Sequence, residues 1–265
     1  MRFAVHNLCA SRVNLLMNDY AAGLPSPLTF LGLAESIGRD LGVHAWQARV
    51  VPILHSVHVS EGRTKPEMEN KGGSFTPIEI VEDLIGAVEV SLILDLPGCS
   101  SAYDVGDTLL RKRIGGGVIA NKELRVVAVA DDGTCFERMS RGYAMVRPDQ
   151  EERRLISSGN LRQIERIGRI LFPEVREPGR GWLVPVAVGH RLLEDPNTVP
   201  KRIRSRSPDI PHVFVEPCVG IAELISVRNA RLTKVNDAGM TDYFWNWSSH
   251  NSYILAHPAY HPTNA

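Results

Sequence analysis

Long apolar runs are missing from this 265-residue chain: none approaches the roughly 18–20 residues that a helix needs to cross a bilayer. The first residues, Met1-Arg2-Phe3-Ala4-Val5-His6, lack the apolar core of a signal peptide. They read as a first strand, and the expected compartment is the cytoplasm. Cysteine is scarce, four in all (Cys9, Cys99, Cys135, Cys218), with no C-x-x-C pair. That spacing argues against a disulfide framework or a zinc knuckle and for reduced, buried thiols. Catalytic signatures are absent too. There is no G-x-S-x-G elbow, no H-E-x-x-H, and no Lys-Ser/Thr ending to a glycine-rich loop, so ATP binding is disfavoured. His55 and His58 are three apart on an expected strand and face opposite ways. Pro258 and Pro262 interrupt any helix that would align His257 with His261. No metal and no other cofactor is expected, and no repeat or heptad run is present.

Net charge is missing as well, with 30 Lys+Arg against 30 Asp+Glu. The balance conceals opposed blocks. Residues 1–110 carry 7 basic and 13 acidic side chains, whereas residues 138–206 carry 15 basic and 8 acidic. A chain polarised in this way can hold a polyanion on its cationic segment and stay soluble elsewhere.

What is present reads as an alternation of strands and helices. Arg2 to Cys9 is a short apolar strand, followed by a polar loop from Ser11 to Pro25. Ser26 before Pro27 is the pattern of an N-cap with proline at the first helical position. Leu28, Leu31, Ala34, Ile37 and Leu41 then recur at helical spacing up to Gly42. Trp46 to Val59 and Ala87 to Leu96 read as strands, separated by a polar tongue at 61–77. Asp104 to Arg113 reads as a helix, Leu124 to Ala130 as a strand, and Glu151 to Phe172 as a further helix. Trp182 to Val188 and Val213 to Val215 are later strand candidates. The first six elements follow a βαββαβ order, which fits an α+β, ferredoxin-like or RRM-type domain and also an irregular α+β fold. The expected division is an RRM-like domain at 1–137, a basic helical and loop extension at 138–206, and a C-terminal segment at 207–265 that packs back on the core.

Cations cluster in three places. Arg111-Lys112-Arg113 precedes Gly115-Gly116-Gly117, where glycines could expose N–H groups to a phosphate or could simply connect a helix to a strand. Arg153, Arg154, Arg162, Arg166 and Arg169 lie in the late helix region, and Arg162, Arg166 and Arg169 share one helical face. Lys201, Arg202, Arg204 and Arg206 form the third group. Arginine forks onto phosphates and stacks on bases, so these groups point to nucleic acid without saying which kind. His6 or His190 could serve acid–base cleavage of RNA, although a structural or RNA-contacting histidine is the commoner case.

Five stretches taken in order resemble a known family: Gly23-Leu24-Pro25-Ser26-Pro27-Leu28-Thr29-Phe30-Leu31-Gly32-Leu33; Ile80-Val81-Glu82-Asp83 with the strand Val88 to Leu94; Arg113-Ile114-Gly115-Gly116-Gly117; Gly181-Trp182-Leu183-Val184-Pro185-Val186-Ala187-Val188-Gly189; and Phe214-Val215-Glu216. They are similar to the second subunit of type I-F CRISPR Csy effector complexes, the Cas five relatives of that system. The chain looks shorter than ordinary members and lacks their asparagine-alanine pattern between Ala10 and Ala22, as in a compact variant.

The resemblance implies a RAMP-type, RRM-like fold and a non-catalytic subunit of a Cascade-like surveillance complex. Such a subunit grips the 5′ handle of CRISPR RNA, caps the backbone subunits and touches the PAM of target double-stranded DNA. The implied partners are crRNA, the backbone subunits, a large subunit where one exists, and target DNA, with no membrane. His6, Asn7, Arg12 and Asn14 are then the expected contacts to handle bases and sugars, and Arg111, Arg113 and Gly115 to Gly117 those to phosphates. Arg153, Arg154, Arg162, Arg166, Lys201, Arg202, Arg204 and Arg206 are the expected contacts to DNA or neighbouring subunits. The rival reading is a metal-independent endoribonuclease that processes repeat RNA.

Overall fold

The first strand sets the frame. In the computed structural model, which describes residues 1–18, 21–60, 67–79, 84–148, 163–175, 178–200, 202, 210–250 and 252–257, β1 runs over Arg2–Asn14. It is longer than its apolar alternation suggests because two bulges interrupt it. His6 and Asn7 together oppose the single Ser91 of the neighbouring strand, and Ser11 and Arg12 together oppose Ala87. Each extra residue resets the alternation, so that Phe3, Val5, Leu8, Ala10, Val13 and Leu15 all point into the same core. The expected polar loop at 11–25 is therefore partly strand. It continues into a small hairpin of β2, Leu16–Asn18, and β3, Ala21–Ala22.

Helix α1, Pro27–Asp40, begins where the sequence places it. The Ser26 hydroxyl oxygen accepts from Leu28 N–H at 3.1 Å and donates to the Ala187 carbonyl. Replacing Ser26 with Ala should cost about 1 kcal/mol, the usual worth of such a cap, read as a lower midpoint in denaturant. After α1 come β4, Arg49–Val59; a hairpin of β5, Glu67–Lys71, and β6, Ser74–Glu79; and β7, Ile85–Asp95. The hairpin occupies most of the expected tongue and turns at Gly72-Gly73, both with positive φ. Helix α2, Ala102–Leu110, is capped by Ser101, and β8, Arg113–Ile114, β9, Gly117–Ile119, and β10, Arg125–Val129, follow it. Across the sheet the order is β10-β1-β7-β4, with every neighbouring pair antiparallel.

The sheet does not stop there. Helix α3, Thr134–Glu137, leads into β11, Tyr143–Val146, which pairs with β4. Helix α4, Gln163–Leu171, precedes β12, Trp182–Leu192, and β13, Val215–Ser226. Two four-residue helices, α5 over Ala230–Thr233 and α6 over Asp237–Met240, lead through a short 3₁₀ turn to β14, Asn246–His250, and β15, Tyr253–His257. One 11-stranded sheet holds the long strands of all three stretches, in the path β14-β15-β12-β13-β11-β4-β7-β1-β9-β8 with β10 on β1. The basic stretch at 138–206 contributes β11 and β12 to this sheet; β12 covers the expected strand Trp182 to Val188, whereas β11 has no counterpart among the expected elements. The physical reason is that Met145 and Val186 are buried in the core under α1, while Ala144 and Val146 are buried on the opposite face.

Trp245, just before β14, exchanges backbone hydrogen bonds with Val50 of β4, so the far half of the sheet curls back around α1. Phe30, Leu31, Ala34 and Ile37 of α1 are fully buried there with Val186, Ala222, Ala256 and Trp245. The opposite face carries a second core. Ala4, Val51, Ile53 and Ile93 pack under Phe136, Met139, Leu232, Met240 and Phe244. No helix among the described residues is long and apolar enough to cross a membrane.

The cysteines are free, and Cys99 and Cys135 are buried as expected; burial pushes the Cys135 thiol up to about 12. Cys9 is exposed, contrary to expectation, because the first bulge of β1 turns it away from the helices.

Candidate nucleic-acid interface

The second core covers only part of the face opposite α1 and α2. Beyond it lies a polar strip, and both bulges of β1 feed it. Asn7 and Arg12 adopt left-handed backbone conformations, φ +48° and +58°, which asparagine tolerates and arginine does not favour. A non-glycine residue holds such a φ only where its surroundings impose it, and such positions cluster at functional sites. Here the ladder to β7 on both sides of each bulge imposes it.

The first bulge is held by a dense set of hydrogen bonds. Asn7 N–H donates to the Ser91 hydroxyl at 3.0 Å, and Asn7 Nδ2 donates to Glu89 at 2.8 Å. The Ser140 hydroxyl donates to Asn7 Oδ1, and Asn121 Nδ2 donates to the Asn7 carbonyl. His55 joins on from β4, with Nδ1 2.8 Å from the Arg141 carbonyl and Nε2 2.7 Å from the Ser91 hydroxyl. A carbonyl can only accept, so the network assigns a proton to Nδ1, and Nε2 shares a hydrogen bond with the Ser91 hydroxyl. Asn7 is thus a keystone of the sheet as much as a surface group.

His6 sits beside this network at 8% exposure, with Nε2 buried and without a hydrogen-bond partner among the described residues. Its cross-strand neighbour is Arg125 of β10, which is exposed. Burial first, then the charges of Arg125 and His55, hold the His6 imidazole below its ordinary range. The unfolded chain protonates this histidine near pH 6.5 and the folded chain only lower, so below about pH 6.5 the unfolded state binds more protons. The stability tied to neutral His6 is therefore complete above that pH and lost as pH falls through it. Denaturant titrations at pH 7.5 and 5.5 should show a smaller acid loss in His6→Gln than in the parent.

On the same face Arg12 and Arg125 are exposed cations with no ion pair among the described residues, and Ser11, Cys9 and Arg141 are exposed beside them. Asn14 is exposed at the end of β1; its N–H donates to the Gly115 carbonyl and its Oδ1 accepts from Leu16 N–H.

The glycine-rich loop is a tight hairpin turn between β8 and β9. Gly115 and Gly116 have φ +52° and +80°, the pair of positive angles that a two-residue hairpin turn requires. Gly117 is buried, and a Cβ there would meet the Ser11 carbonyl oxygen at 2.5 Å and Val13 N at 2.8 Å. Turn geometry and contact with β1 thus account for the three glycines. Arg113 donates to the Gly116 carbonyl at 3.2 Å across the turn, and Arg111 pairs with Asp107 one helical turn back at 3.0 Å. Both arginines are exposed at this sheet edge.

Of the expected contacts to DNA or neighbouring subunits, Arg153, Arg154, Arg162, Lys201, Arg204 and Arg206 lie outside the described residues, as does the side chain of Arg166 on α4. Arg202 is described and is committed internally. Its guanidinium donates to both Glu194 oxygens and to the His212 carbonyl, and it lies 4.3 Å from the centre of the Phe214 ring. The strip also draws in Arg125, His55, Ser91, Glu89 and Asn121. Only the strand register reveals these, since no spacing along the chain relates them to β1.

Residues 169–255, about a third of the chain, match the model of a family described as CRISPR-associated protein (Cas_Csy2). The match contains the Gly181–Gly189 and Phe214–Glu216 stretches, while the three earlier stretches quoted from the sequence lie outside it. No curated protein matches the chain. That third of the chain is similar to a CRISPR-associated family; its strands β12 and β13 belong to the sheet that carries the polar strip.

Proposed function

We propose that this chain is a non-catalytic RNA-binding subunit of a type I-F CRISPR surveillance complex. In this reading it grips the 5′ handle of crRNA, caps the backbone subunits and contacts the PAM of target double-stranded DNA. The observation that carries the reading is the match of residues 169–255 to a CRISPR-associated family. The βαββαβ order with strands arranged β10-β1-β7-β4 supports a ferredoxin-like, RRM-type frame of the kind found in RAMP proteins. The strip on the face opposite α1 and α2 supplies Arg12 and Arg125 for phosphates and small polar groups for bases and sugars. At the strip, binding is favoured over cleavage because His55 is engaged at both ring nitrogens and His6 is buried, so neither is free to approach a scissile phosphate; His190, the other candidate for cleavage, is exposed on β12.

Purified protein should bind single-stranded RNA that carries the repeat-derived handle at least about tenfold more tightly than the same RNA without it, with affinity falling steeply with salt. Equal affinity for the two would overturn handle recognition. Labelled repeat RNA should stay intact during the incubation; specific cuts made without metal would establish the endoribonuclease reading instead.

A further inference from the structure

We propose that Glu89, at the centre of the polar strip, reads a guanine of the bound single strand through the base-pairing edge of that base. The inference rests on the reading of the strip as an RNA surface and adds what that surface distinguishes. Register places the residue. Glu89 of β7 stands opposite Cys9 on β1 and opposite Ser56 on β4. Leu8, Ala10, Val88 and Val90 point into the core under α1, so Cys9 and Glu89, which alternate with them, point to the strip. Along β7, Ser91 faces the bulge of His6 and Asn7, and Ala87 faces the bulge of Ser11 and Arg12. Arg125 lies across from His6. The carboxylate is therefore flanked by an exposed arginine on either side, each about 7 Å away along the strand direction.

A surface that holds phosphates gains nothing from a negative charge at its centre, and the fold does not ask for one there. Asn7 Nδ2 donates to Glu89 Oε1 at 2.8 Å, a contact that a neutral amide oxygen would accept as well. The second oxygen, Oε2, takes no hydrogen bond and no ion pair among the described residues, and Glu89 is only half-buried. Its charge is felt at the surface: burial first, then Glu89, raises the pKa of the exposed Cys9 thiol. A fixed carboxylate recognises adjacent N–H donors. Guanine presents two of them side by side, on N1 and on the exocyclic N2. Adenine and cytosine present one amino group beside an acceptor, and uracil one N–H between two acceptors, which a carboxylate repels.

The neighbours leave room for that base. Cys9, Ser56 and Ala87 are small, so Glu89 is the longest side chain among them, and Asn7 fixes the carboxylate before any strand arrives. His58 is exposed on the same face, two residues beyond Ser56 and opposite Ala87, and offers a ring for stacking beside the carboxylate.

The test uses the full chain and fluorescent oligouridine strands of about eight nucleotides that carry one guanosine, adenosine, cytidine or inosine at the centre. The parent should bind the guanosine strand about tenfold more tightly than the adenosine strand. Inosine, which lacks only the N2 amino group, should lose part of that preference. Glu89→Gln keeps an acceptor for Asn7, so its midpoint in denaturant should stay with the parent's. Its amide then turns N–H groups toward the base, and all the strands should bind within about twofold of one another. The ratio between strands carries the answer, because removing a negative charge near phosphates strengthens binding to every strand alike. A guanosine preference that survives Glu89→Gln, or a parent that binds all the strands equally, would overturn the proposal. In the latter case, weaker binding of every strand by Arg12→Gly combined with Arg125→Ala would still leave the strip as an RNA surface. A parent that binds no strand at all would sink both readings.

Discussion

Arg231→Ala should destabilise the fold by about 3 kcal/mol, read from chemical denaturation followed by circular dichroism. Glu223 is 1% exposed and makes three contacts: Arg231 Nη1 at 2.6 Å, Arg231 Nη2 at 3.2 Å, and Gly181 N–H at 2.8 Å. Removing the guanidinium leaves a buried carboxylate with one N–H donor, the situation in which breaking an ion pair costs most. The Arg231 side chain is 34% exposed. Some water can therefore reach the vacated site, which places the cost at the lower end of the 3–5 kcal/mol range for buried pairs. Glu223→Gln alone should cost less, since an amide oxygen can still accept from Gly181 without demanding a cation. The double variant, Glu223→Gln with Arg231→Ala, should be more stable than Arg231→Ala alone because no unpaired charge remains. A double variant that loses as much as the sum of the two singles would show that the pair is not coupled. The lock joins β13, α5 and the entry to β12, all within the stretch similar to the CRISPR-associated family.

Much of the frame was legible along the chain because local rules governed it. Ser26-Pro27 and the apolar spacing up to Ile37 placed α1, and Val88, Val90, Leu92 and Leu94 placed β7 with its inward face. The far end of β1 was not legible. Two bulges shift the inward positions from Val5 to Leu8 and from Ala10 to Val13, and a simple alternation loses the strand at each shift. The stretch at 138–206 was misleading in another way. Its arginines dominate the composition, while the short strand Tyr143–Val146 that inserts between β4 and β13 is too brief to announce itself.

The site divides along the same line. His6, Asn7, Arg12 and Asn14 could be singled out because they follow the first strand. Their partners Arg125, Ser91, Glu89, His55 and Asn121 come from distant segments brought in by register. The triple glycine shows why composition alone leaves a choice open. Two of its members are needed for the turn and the third for contact with β1, so its conformational demands are met before any phosphate is considered.

Arg12→Gly combined with Arg125→Ala should separate RNA affinity from stability, which a merely structural role for these residues would not do. Arg12 occupies a left-handed conformation at φ +58°, which costs a residue with a Cβ about 1–2 kcal/mol. Glycine relieves that strain, partly offset by its greater freedom in the unfolded chain, so stability should hold steady or rise by up to about 1 kcal/mol. Arg125 is exposed, and its loss removes one of the charges that keep His6 neutral, so little stability goes with it at neutral pH. Binding should move the other way. Each phosphate contact contributes about 0.7 to the slope of log affinity against log salt for a single strand, so losing both should flatten that slope by about 1.4. At low salt the affinity for handle-bearing RNA should fall by roughly one to two orders of magnitude, and the difference should narrow as salt rises. An unchanged slope with unchanged stability would mean that the strip does not touch RNA phosphates. A chain that becomes more stable while binding less is what strain retained for function predicts.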